Sequence, residues 1–428
     1  MSISRKLLVP SIMRRMVRLL STTGSLSEQQ QPLFIGRREE PLPCYTKLKE
    51  KNGPIGLKGA YGENIDGHSL FTHKDNFTFK HGGVIPSLNV AYETWGELNE
   101  DRSNAILVHT GLSASAHARS NQDNPGPGWW EKFIGPGKAL DTNKFFIICS
   151  NNLGGCYGTS GPSSVNPLTG SEYAMTFPIL SVEDMVHCQF LLLDHLKVER
   201  LHASVGPSLG GMQSLMAAAL FPQRVGRVVT ISACVRTHPS SIALRYVQRR
   251  ILMSDPDWNQ GRYYGNSFPR VGMQHAREVG TITYRSGPEW LERFGHQRAS
   301  PDSAPDFCPD FLVETYLENQ GEKFCEAYDP NSILYISKAM DMFDMGAGHS
   351  SLLEGVARVR APVLVLGVNS DVLFPVEQQR QMATLLKEAG NNSVTYYELT
   401  SIYGHDTFLL DVNNVGAAMK GYLESEVH

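Results

Sequence analysis

The sequence has no long hydrophobic run, since no apolar stretch approaches the roughly 20 residues that a membrane-spanning helix needs. It also has no two cysteines in the C-x-x-C spacing, and its seven cysteines are scattered and odd in number. These absences argue against a membrane protein and against the common cysteine zinc sites. They favour a reducing compartment in which the thiols stay free.

The sequence also lacks a large excess of basic over acidic residues, or of acidic over basic ones. The chain carries 39 Lys and Arg against 43 Asp and Glu, a net charge of -4. A protein without a basic excess is not expected to bind nucleic acid or an anionic membrane surface. With 428 residues, of which 41% are hydrophobic and 19% charged, the composition is that of an ordinary soluble enzyme of one or two domains.

Acidic residues are absent from the first 27 positions. The same stretch is rich in serine and threonine, its apolar side chains could share one helical face, and it holds five basic residues: Arg5, Lys6, Arg14, Arg15 and Arg18. This pattern is typical of a mitochondrial presequence, whereas the charges interrupt any secretory signal. We therefore expect residues 1–27 to direct the protein to the mitochondrial matrix. A disordered basic tail is the alternative.

The segment 201–222 has the pattern of a strand, a tight turn and a helix. The turn carries G-P-S-L-G at residues 206–210, which matches G-x-S-x-G, and the apolar helical spacing behind it stops at Pro222. In this context the motif predicts a nucleophile elbow with Ser208 at its tip. Glycines flank the serine because such a strained turn leaves little room for side chains. Taken alone, the motif could be a plain glycine-rich turn.

Residues 76–80 and 87–94 alternate apolar and polar side chains, which predicts strands of an antiparallel start. Further segments of strand length then alternate with helical patterns, at residues 105–109, 145–150, 227–231, 362–367 and 394–399. Between residues 236 and 345 the pattern is helical only. The alternation predicts an α/β protein with a mostly parallel, doubly wound sheet. We assign the core to residues 76–235 and 346–428, an inserted helical lid to residues 236–345, and an irregular N-terminal segment to residues 28–75.

Two later strands end in residues that could activate Ser208. Asp371 follows the run at 362–367, and His405 follows the run at 394–399. A serine hydroxyl needs a base to take its proton, and the base is usually a histidine oriented by a carboxylate. Singly, Asp371 could cap a helix and His405 could be a loop histidine. Their order after Ser208, each just past a strand, predicts a catalytic triad.

Such a triad also needs two backbone N–H donors for the oxyanion. Leu209, directly after the serine, is expected to supply one, and Leu112, in the small-residue loop after the run at 105–109, the other. His109 and His117 flank that loop without a third ligand, so no metal site is predicted.

Together these segments resemble the homoserine/serine O-acyltransferases of the α/β-hydrolase fold. The resemblance runs from about residue 76 to the C-terminus and is carried by AYETWGELN (91–99), the Leu112 loop, NNLGGCYGTSGPSSVNP (151–167), GPSLGGMQ (206–213), SDVLFP (370–375) and GHDTFL (404–409). It implies a Ser–Asp–His mechanism with acyl-CoA as co-substrate and no resident cofactor.

The resemblance also implies two residues that bind the amino-acid acceptor. They are Arg277, in GMQHAREVGTITY, and Asp406, directly after the histidine. A zwitterionic acceptor suits such a pair, because its carboxylate favours a guanidinium fork and its ammonium favours a carboxylate. Without the resemblance, Arg277 would be interpreted as part of a surface salt bridge.

The choice of substrates depends on the oxyanion loop and the lid. The loop has the sequence HTGLSASAHA, where homoserine enzymes of the family usually have H-A-L-T-G or H-A-L-S-G, so Ser113, Ala114 and Ser115 favour L-serine. Arg245 stands where homoserine enzymes tend to have asparagine. It could meet the free carboxylate of a succinyl group, a CoA phosphate, or neither.

We therefore expect an acyl-CoA:L-serine O-acyltransferase that makes O-acyl-L-serine for cysteine biosynthesis, with succinyl-CoA slightly favoured over acetyl-CoA. A homoserine O-acetyltransferase and a plain serine hydrolase stay open, because a triad alone does not distinguish the acceptor from water. A non-catalytic protein of this fold would usually have lost a triad member. The residues leave the oligomeric state open, with a homodimer as one expectation.

Overall fold

The computed structural model describes residues 67–426. The presequence assigned to residues 1–27 and most of the segment assigned to residues 28–75 lie outside the described residues. Where that segment enters the structure it is not irregular, because Ser69–His73 form a strand, β1. This strand lies at the edge of the sheet and is mostly exposed. Its sequence therefore lacks the apolar pattern from which a strand is predicted.

One eight-stranded sheet organises the described chain, in the order β1-β4-β6-β5-β7-β8-β9-β10. Its further strands are β4 Leu88–Trp95, β5 Ala105–His109, β6 Phe146–Ser150, β7 Ala203–Pro207, β8 Val228–Ile231, β9 Val363–Val368 and β10 Val394–Leu399. Strand β4 is antiparallel to its neighbours β1 and β6, and every other neighbouring pair is parallel. Two short strands, β2 Phe77–Thr78 and β3 Val84–Ile85, form a separate hairpin.

The helices in chain order are α1 Val182–His195, α2 Leu209–Leu220, α3 Pro239–Ser254, α4 Arg270–Tyr284, α5 Gly287–Phe294, α6 Leu312–Ala327, α7 Pro330–Asp341, α8 Leu352–Val356, α9 Val376–Glu388, α10 Thr407–Leu410 and α11 Val412–Glu424. Helices α3 to α8 all lie between β8 and β9; α3 to α7 fall within residues 236–345, where the sequence pattern predicts the lid, and α8 follows that segment. Across residues 67–426 no helix combines the length and the apolarity that crossing a bilayer would take.

Apolar side chains pack on both faces of the sheet. In β5, Ala105 and Leu107 belong to the cluster on one face, whereas Ile106 and Val108 belong to the cluster on the other. Strands buried on both faces have continuous apolar runs, which is why the sequence showed them without alternation. The predicted α/β architecture with a mostly parallel, doubly wound sheet is confirmed.

The order of the strands places a crevice beside β5. From β5 the chain moves to β6 on one side, then returns through α1 to β7 on the other side. Loops that leave neighbouring strands in opposite directions open a crevice at the carboxyl ends of those strands. The loop after β5 and the turn after β7 both end at this crevice, so the oxyanion loop and Ser208 meet there.

Helix α2 approaches β5 so closely that side chains are excluded at the contact. A methyl group on Gly210 would lie 2.3 Å from the carbonyl oxygen of His109, and one on Gly206 would lie 2.3 Å from the carbonyl carbon of Gly210. Both distances are far inside van der Waals contact. Two glycines of the G-x-S-x-G motif are therefore required by packing.

Replacing glycine by alanine should have opposite effects on stability inside and outside this contact. Gly421→Ala, in the exposed part of α11 where an added methyl meets no atom within 4 Å, should stabilise the protein by about 0.5–1 kcal/mol through helix propensity alone. Gly210→Ala should instead lower the free energy of unfolding by about 1–3 kcal/mol, because the added methyl overpacks the contact. Urea denaturation of both variants measures this, and equal stability of the two would refute the packing argument.

Candidate active site

Ser208 lies at the turn between β7 and α2 with φ 57° and ψ -123°. Positive φ is uncommon for a residue with a side chain, and such conformations persist only when the surrounding structure holds them. Here the Ser208 N–H donates to the Ile231 carbonyl at 2.8 Å, and the Ser208 carbonyl accepts from the N–H of Gly211 and Met212 at 2.9 and 3.2 Å. The side chain makes no capping hydrogen bond to α2, so the turn presents its hydroxyl to the crevice.

His405 and Asp371 form a buried pair, and His405 lines the same cavity as Ser208. Nδ1 of His405 lies 2.7 Å from Oδ2 of Asp371, and the other carboxylate oxygen, Oδ1, accepts from the backbone N–H of Leu373 and Phe374 at 2.9 and 2.8 Å. A carboxylate can only accept, so the proton sits on Nδ1 and the lone pair on Nε2 stays available as a base. The imidazole stacks on the Phe374 ring at 5.1 Å, which fixes its plane.

A cavity of about 290 Å³ lies between the lid and the ends of the strands. The sequence-predicted residues that line it are Leu112, Ser113, Ala114, Ser208, Arg245, Arg277, His405 and Asp406. Leu209 is buried directly behind Ser208, and Asp371 lies behind His405. A larger cavity, of about 810 Å³, opens where β5, β7 and β8 begin and contains none of the predicted site residues.

Arg277, on α4, lines this cavity, and its guanidinium group makes cation–π contacts with two aromatic rings. Its guanidinium carbon lies 4.4 Å from the centre of the Phe324 ring and 5.2 Å from that of Tyr284. Its Nε is buried and has no hydrogen-bond partner among the described residues. Among residues 67–426 no ion pair of Arg277 corresponds to the surface salt bridge that the sequence left open, and the unpartnered Nε is available to an anion.

Asp406 lies beside a cation that the sequence analysis missed. One of its oxygens is 3.4 Å from Nε of Arg285, whose Nη1 also pairs with Glu289 at 2.5 Å. Burial raises the pKa of Asp406, whereas Arg285, His405 and Arg277 oppose that rise. Arg285 is remote from Asp406 in the chain, so no spacing pattern could have joined the two.

Arg245, on α3, is a buried arginine that is only partly neutralised. Its Nε lies 2.6 Å from Oδ1 of Asp341, but Oδ2 of the same carboxylate is taken by Arg249 at 2.5 Å. Two guanidinium groups thus share one carboxylate. Both terminal nitrogens of Arg245 are buried and lack a hydrogen-bond partner among residues 67–426. The cavity wall therefore carries an uncompensated positive charge with free donors.

Ser115 was predicted to contribute to substrate specificity, but the structure does not bring it to the cavity. Its hydroxyl accepts from the His117 N–H at 3.2 Å, and its carbonyl accepts from the indole of Trp129 at 3.0 Å. The side chain is used within the loop itself, which is why it does not face the substrate. Trp129, whose indole it holds, lines the cavity in its place.

Gln248 is another cavity residue that the sequence analysis missed. It lies three residues after Arg245 on α3 and therefore on the same side of the helix. That spacing could have identified it. Its Nε2 donates to the Ala276 carbonyl at 2.8 Å, which connects α3 to the helix that carries Arg277.

Comparisons with known proteins agree with this geometry. The sequence profile of the alpha/beta hydrolase fold family matches residues 104–412. Serine O-succinyltransferase of Schizosaccharomyces pombe is 49% identical, over 90% of this chain and 89% of the relative. Homoserine O-acetyltransferase of Moorella thermoacetica is 44% identical, over 80% of this chain and 92% of the relative.

A solved structure is similar over nearly the same part of the chain. Homoserine O-acetyltransferase from Bacillus anthracis superimposes with a TM-score of 0.79 at 30% identity, covering 85% of this chain and 99% of that one. The fold, the Ser208 turn, the buried His405–Asp371 pair and these likenesses lead to one conclusion. The chain belongs to the α/β-hydrolase fold family, in the branch of acyltransferases that contains serine O-succinyltransferases and homoserine O-acetyltransferases.

Proposed function

We propose that this acyltransferase moves a succinyl group from succinyl-CoA to the hydroxyl of L-serine and makes O-succinyl-L-serine, an activated serine suited to cysteine biosynthesis. The observation that carries the proposal is the buried guanidinium of Arg245 in the wall of the Ser208 cavity, with both terminal nitrogens unpartnered. A buried cation with free donors is costly unless an anion binds it. The distal carboxylate of a succinyl group is such an anion, whereas an acetyl group offers none.

In the first half-reaction, Nε2 of His405 takes the proton of the Ser208 hydroxyl, whose oxygen attacks the thioester carbonyl. The oxyanion that forms is held by the backbone N–H of Leu112 and Leu209. The carbonyl then re-forms, the C–S bond breaks, and His405 returns the proton to the departing thiolate of CoA. Asp371 stabilises the transient imidazolium. The product is an ester between the acyl group and Ser208.

In the second half-reaction, the acceptor hydroxyl gives its proton to His405 and its oxygen attacks the acyl-enzyme. Water competes for the same ester, so the acceptor must be held in place to win. We assign its carboxylate to Arg277 and its ammonium to Asp406, both of which line the cavity. Ser208 leaves with the proton from His405, and the enzyme is restored.

Homoserine is one methylene longer than serine, and a single methylene discriminates weakly in an apolar pocket. Ser113 and Ala114 line the cavity and carry the preference for the shorter acceptor in this proposal. Acceptor choice is therefore tested together with donor choice. The homodimer stays a prediction.

The decisive experiment measures acyl transfer by purified protein with serine or homoserine, each combined with succinyl-CoA or acetyl-CoA. We expect serine with succinyl-CoA to have the highest kcat/KM. Succinyl-CoA alone should leave a succinyl ester on Ser208 that mass spectrometry detects, and Ser208→Ala should abolish both adduct and transfer. A preference for homoserine would overturn the acceptor, and CoA release without any acylated amino acid would identify a hydrolase.

Arg245 gives a test of the acyl donor, and an arginine outside the cavity gives the matched control. Arg245→Leu should lower kcat/KM for succinyl-CoA by about 10- to 100-fold, the worth of a charge-assisted hydrogen bond, and leave acetyl-CoA use unchanged or improved. Arg298→Leu removes another arginine between β8 and β9, which pairs with Asp310 at 2.7 Å and does not line the cavity, so the donor preference of this variant should stay that of the wild type. An equal loss with both donors in Arg245→Leu would contradict the assignment.

We also propose that residues 1–27 deliver the enzyme to the mitochondrial matrix, on the acid-poor and arginine-rich composition of that stretch. A fluorescent protein fused behind residues 1–40 should enter mitochondria. The same fusion with Arg14, Arg15 and Arg18 replaced by Glu should stay in the cytosol, because import signals of this kind depend on positive charge. A cytosolic wild-type fusion would refute the targeting prediction.

A further inference from the structure

We infer that Asn152 is a positioning residue that orients the Leu112 N–H of the oxyanion hole. The inference rests on the proposed function, because it takes that N–H to be the group that stabilises the oxyanion. Asn152 follows β6, is 1% exposed, and does not touch the cavity. Its role would be to act through the peptide between Gly111 and Leu112.

Peptide geometry makes the connection. The carbonyl of Gly111 and the N–H of Leu112 belong to one planar peptide, and in a trans peptide the two groups point in opposite directions. No cis peptide occurs in the described chain. Nδ2 of Asn152 donates to the Gly111 oxygen at 2.8 Å. By holding the carbonyl on the buried side, Asn152 turns the Leu112 N–H toward the side on which Leu112 and Ser208 line the cavity.

The second oxyanion donor shows why a side chain is needed here. The Leu209 N–H shares its peptide with the Ser208 carbonyl, which already accepts from the N–H of Gly211 and Met212 at 2.9 and 3.2 Å. The first turn of α2 therefore fixes that peptide. The loop at Leu112 belongs to no helix or strand, so a side chain has to supply the equivalent hydrogen bond.

Asn152 is itself held in one orientation. Its Oδ1 accepts from Nε2 of Gln213 at 3.0 Å, and Oε1 of Gln213 accepts from Nε2 of Gln189 at 2.7 Å. Nε2 of Gln213 also donates to the Thr110 carbonyl at 3.3 Å. Backbone carbonyls can only accept, so the NH₂ groups of Asn152 and Gln213 must face them. This determines which end of each side-chain amide is the oxygen and which is the nitrogen.

This buried amide network connects the two halves of the oxyanion hole. Gln213 lies on α2, the helix whose first turn fixes the Leu209 N–H, and it is fully buried. The hydrogen bonds that orient the Leu112 N–H thus come from the same helix that carries the Leu209 N–H. Both N–H groups therefore keep a fixed position relative to Ser208, because both are held by α2.

The test replaces Asn152 with leucine, which has a similar size but donates no hydrogen bond. Aspartate is avoided because a buried carboxyl with a raised pKa would protonate and donate in place of the amide. The measurement is single-turnover acylation of Ser208 by p-nitrophenyl acetate, which needs neither CoA nor an amino acid. We expect acylation and the following deacylation both to slow by about 10- to 100-fold, which is at most the loss caused by deleting an oxyanion donor. KM for serine, measured separately in the acyl-transfer assay, should stay unchanged.

Asn391→Leu is the matched control. Asn391 is also a buried asparagine, and its Nδ2 donates to the backbone carbonyls of Val359 and Ala361 at 2.9 and 2.8 Å, where β9 begins and far from the cavity. It should lose a similar amount of thermal stability while its acylation rate stays that of the wild type. If Asn152→Leu does not fold, Asn152→Ala carries the same expectation.

Acylation at the wild-type rate in folded Asn152→Leu or Asn152→Ala would overturn the inference, as would an equal slowing in Asn391→Leu. Failure of the proposed function looks different. Wild-type protein would then be acylated by p-nitrophenyl acetate and slowed by the Asn152 substitutions, but it would transfer no acyl group from succinyl-CoA to serine.

Discussion

The close contact between α2 and β5 is the constraint on which the rest of the site depends. At this contact Gly210 packs directly on the backbone of His109, with no space for a single methyl group. His109 is the last residue of β5, so the chain that leaves it enters the oxyanion loop at once. The same contact that permits the strained Ser208 turn therefore brings the loop to the serine, and the buried amides of Asn152 and Gln213 then set the direction of the loop peptides.

The electrostatics of the cavity follow from an imbalance of charge. Arg245 shares Asp341 with Arg249, and Arg277 is held by aromatic rings, so two guanidinium groups are left to attract anions. Asp406, in turn, lies 3.4 Å from Arg285 and directly follows His405 in the chain, and both cations oppose the rise of its pKa. A succinyl carboxylate and a zwitterionic amino acid would together present two negative groups and one positive group, which matches this arrangement.

The groups proposed for the chemistry and three of the arginine and glutamine side chains in the cavity wall come from different parts of the chain. The proposed triad and the proposed oxyanion donors directly follow the carboxyl ends of the strands, as do Ser113, Ala114 and Asp406, whereas Arg245, Gln248 and Arg277 come from helices between β8 and β9. Separation of this kind explains how one fold serves both hydrolysis and acyl transfer, since the acceptor is chosen by groups that take no part in bond making. Changes in the lid can alter the substrate while the reacting atoms stay where they are.

The sequence alone determined the strands, the Ser208 turn and the order of Ser208, Asp371 and His405, because each depends on local periodicity or on residues directly beyond a strand. It also led to Arg277 and Asp406, but only through resemblance to a family. It missed β1, which is exposed, and it placed Ser115 in the site although that side chain is used within its own loop. Only the tertiary structure showed that Arg285 lies beside Asp406, that Arg245 and Arg249 share Asp341, and that Asn152 holds the Gly111 carbonyl. Those contacts join residues far apart in the chain, and the distance between such residues is set by packing of the whole fold rather than by any pattern along the sequence.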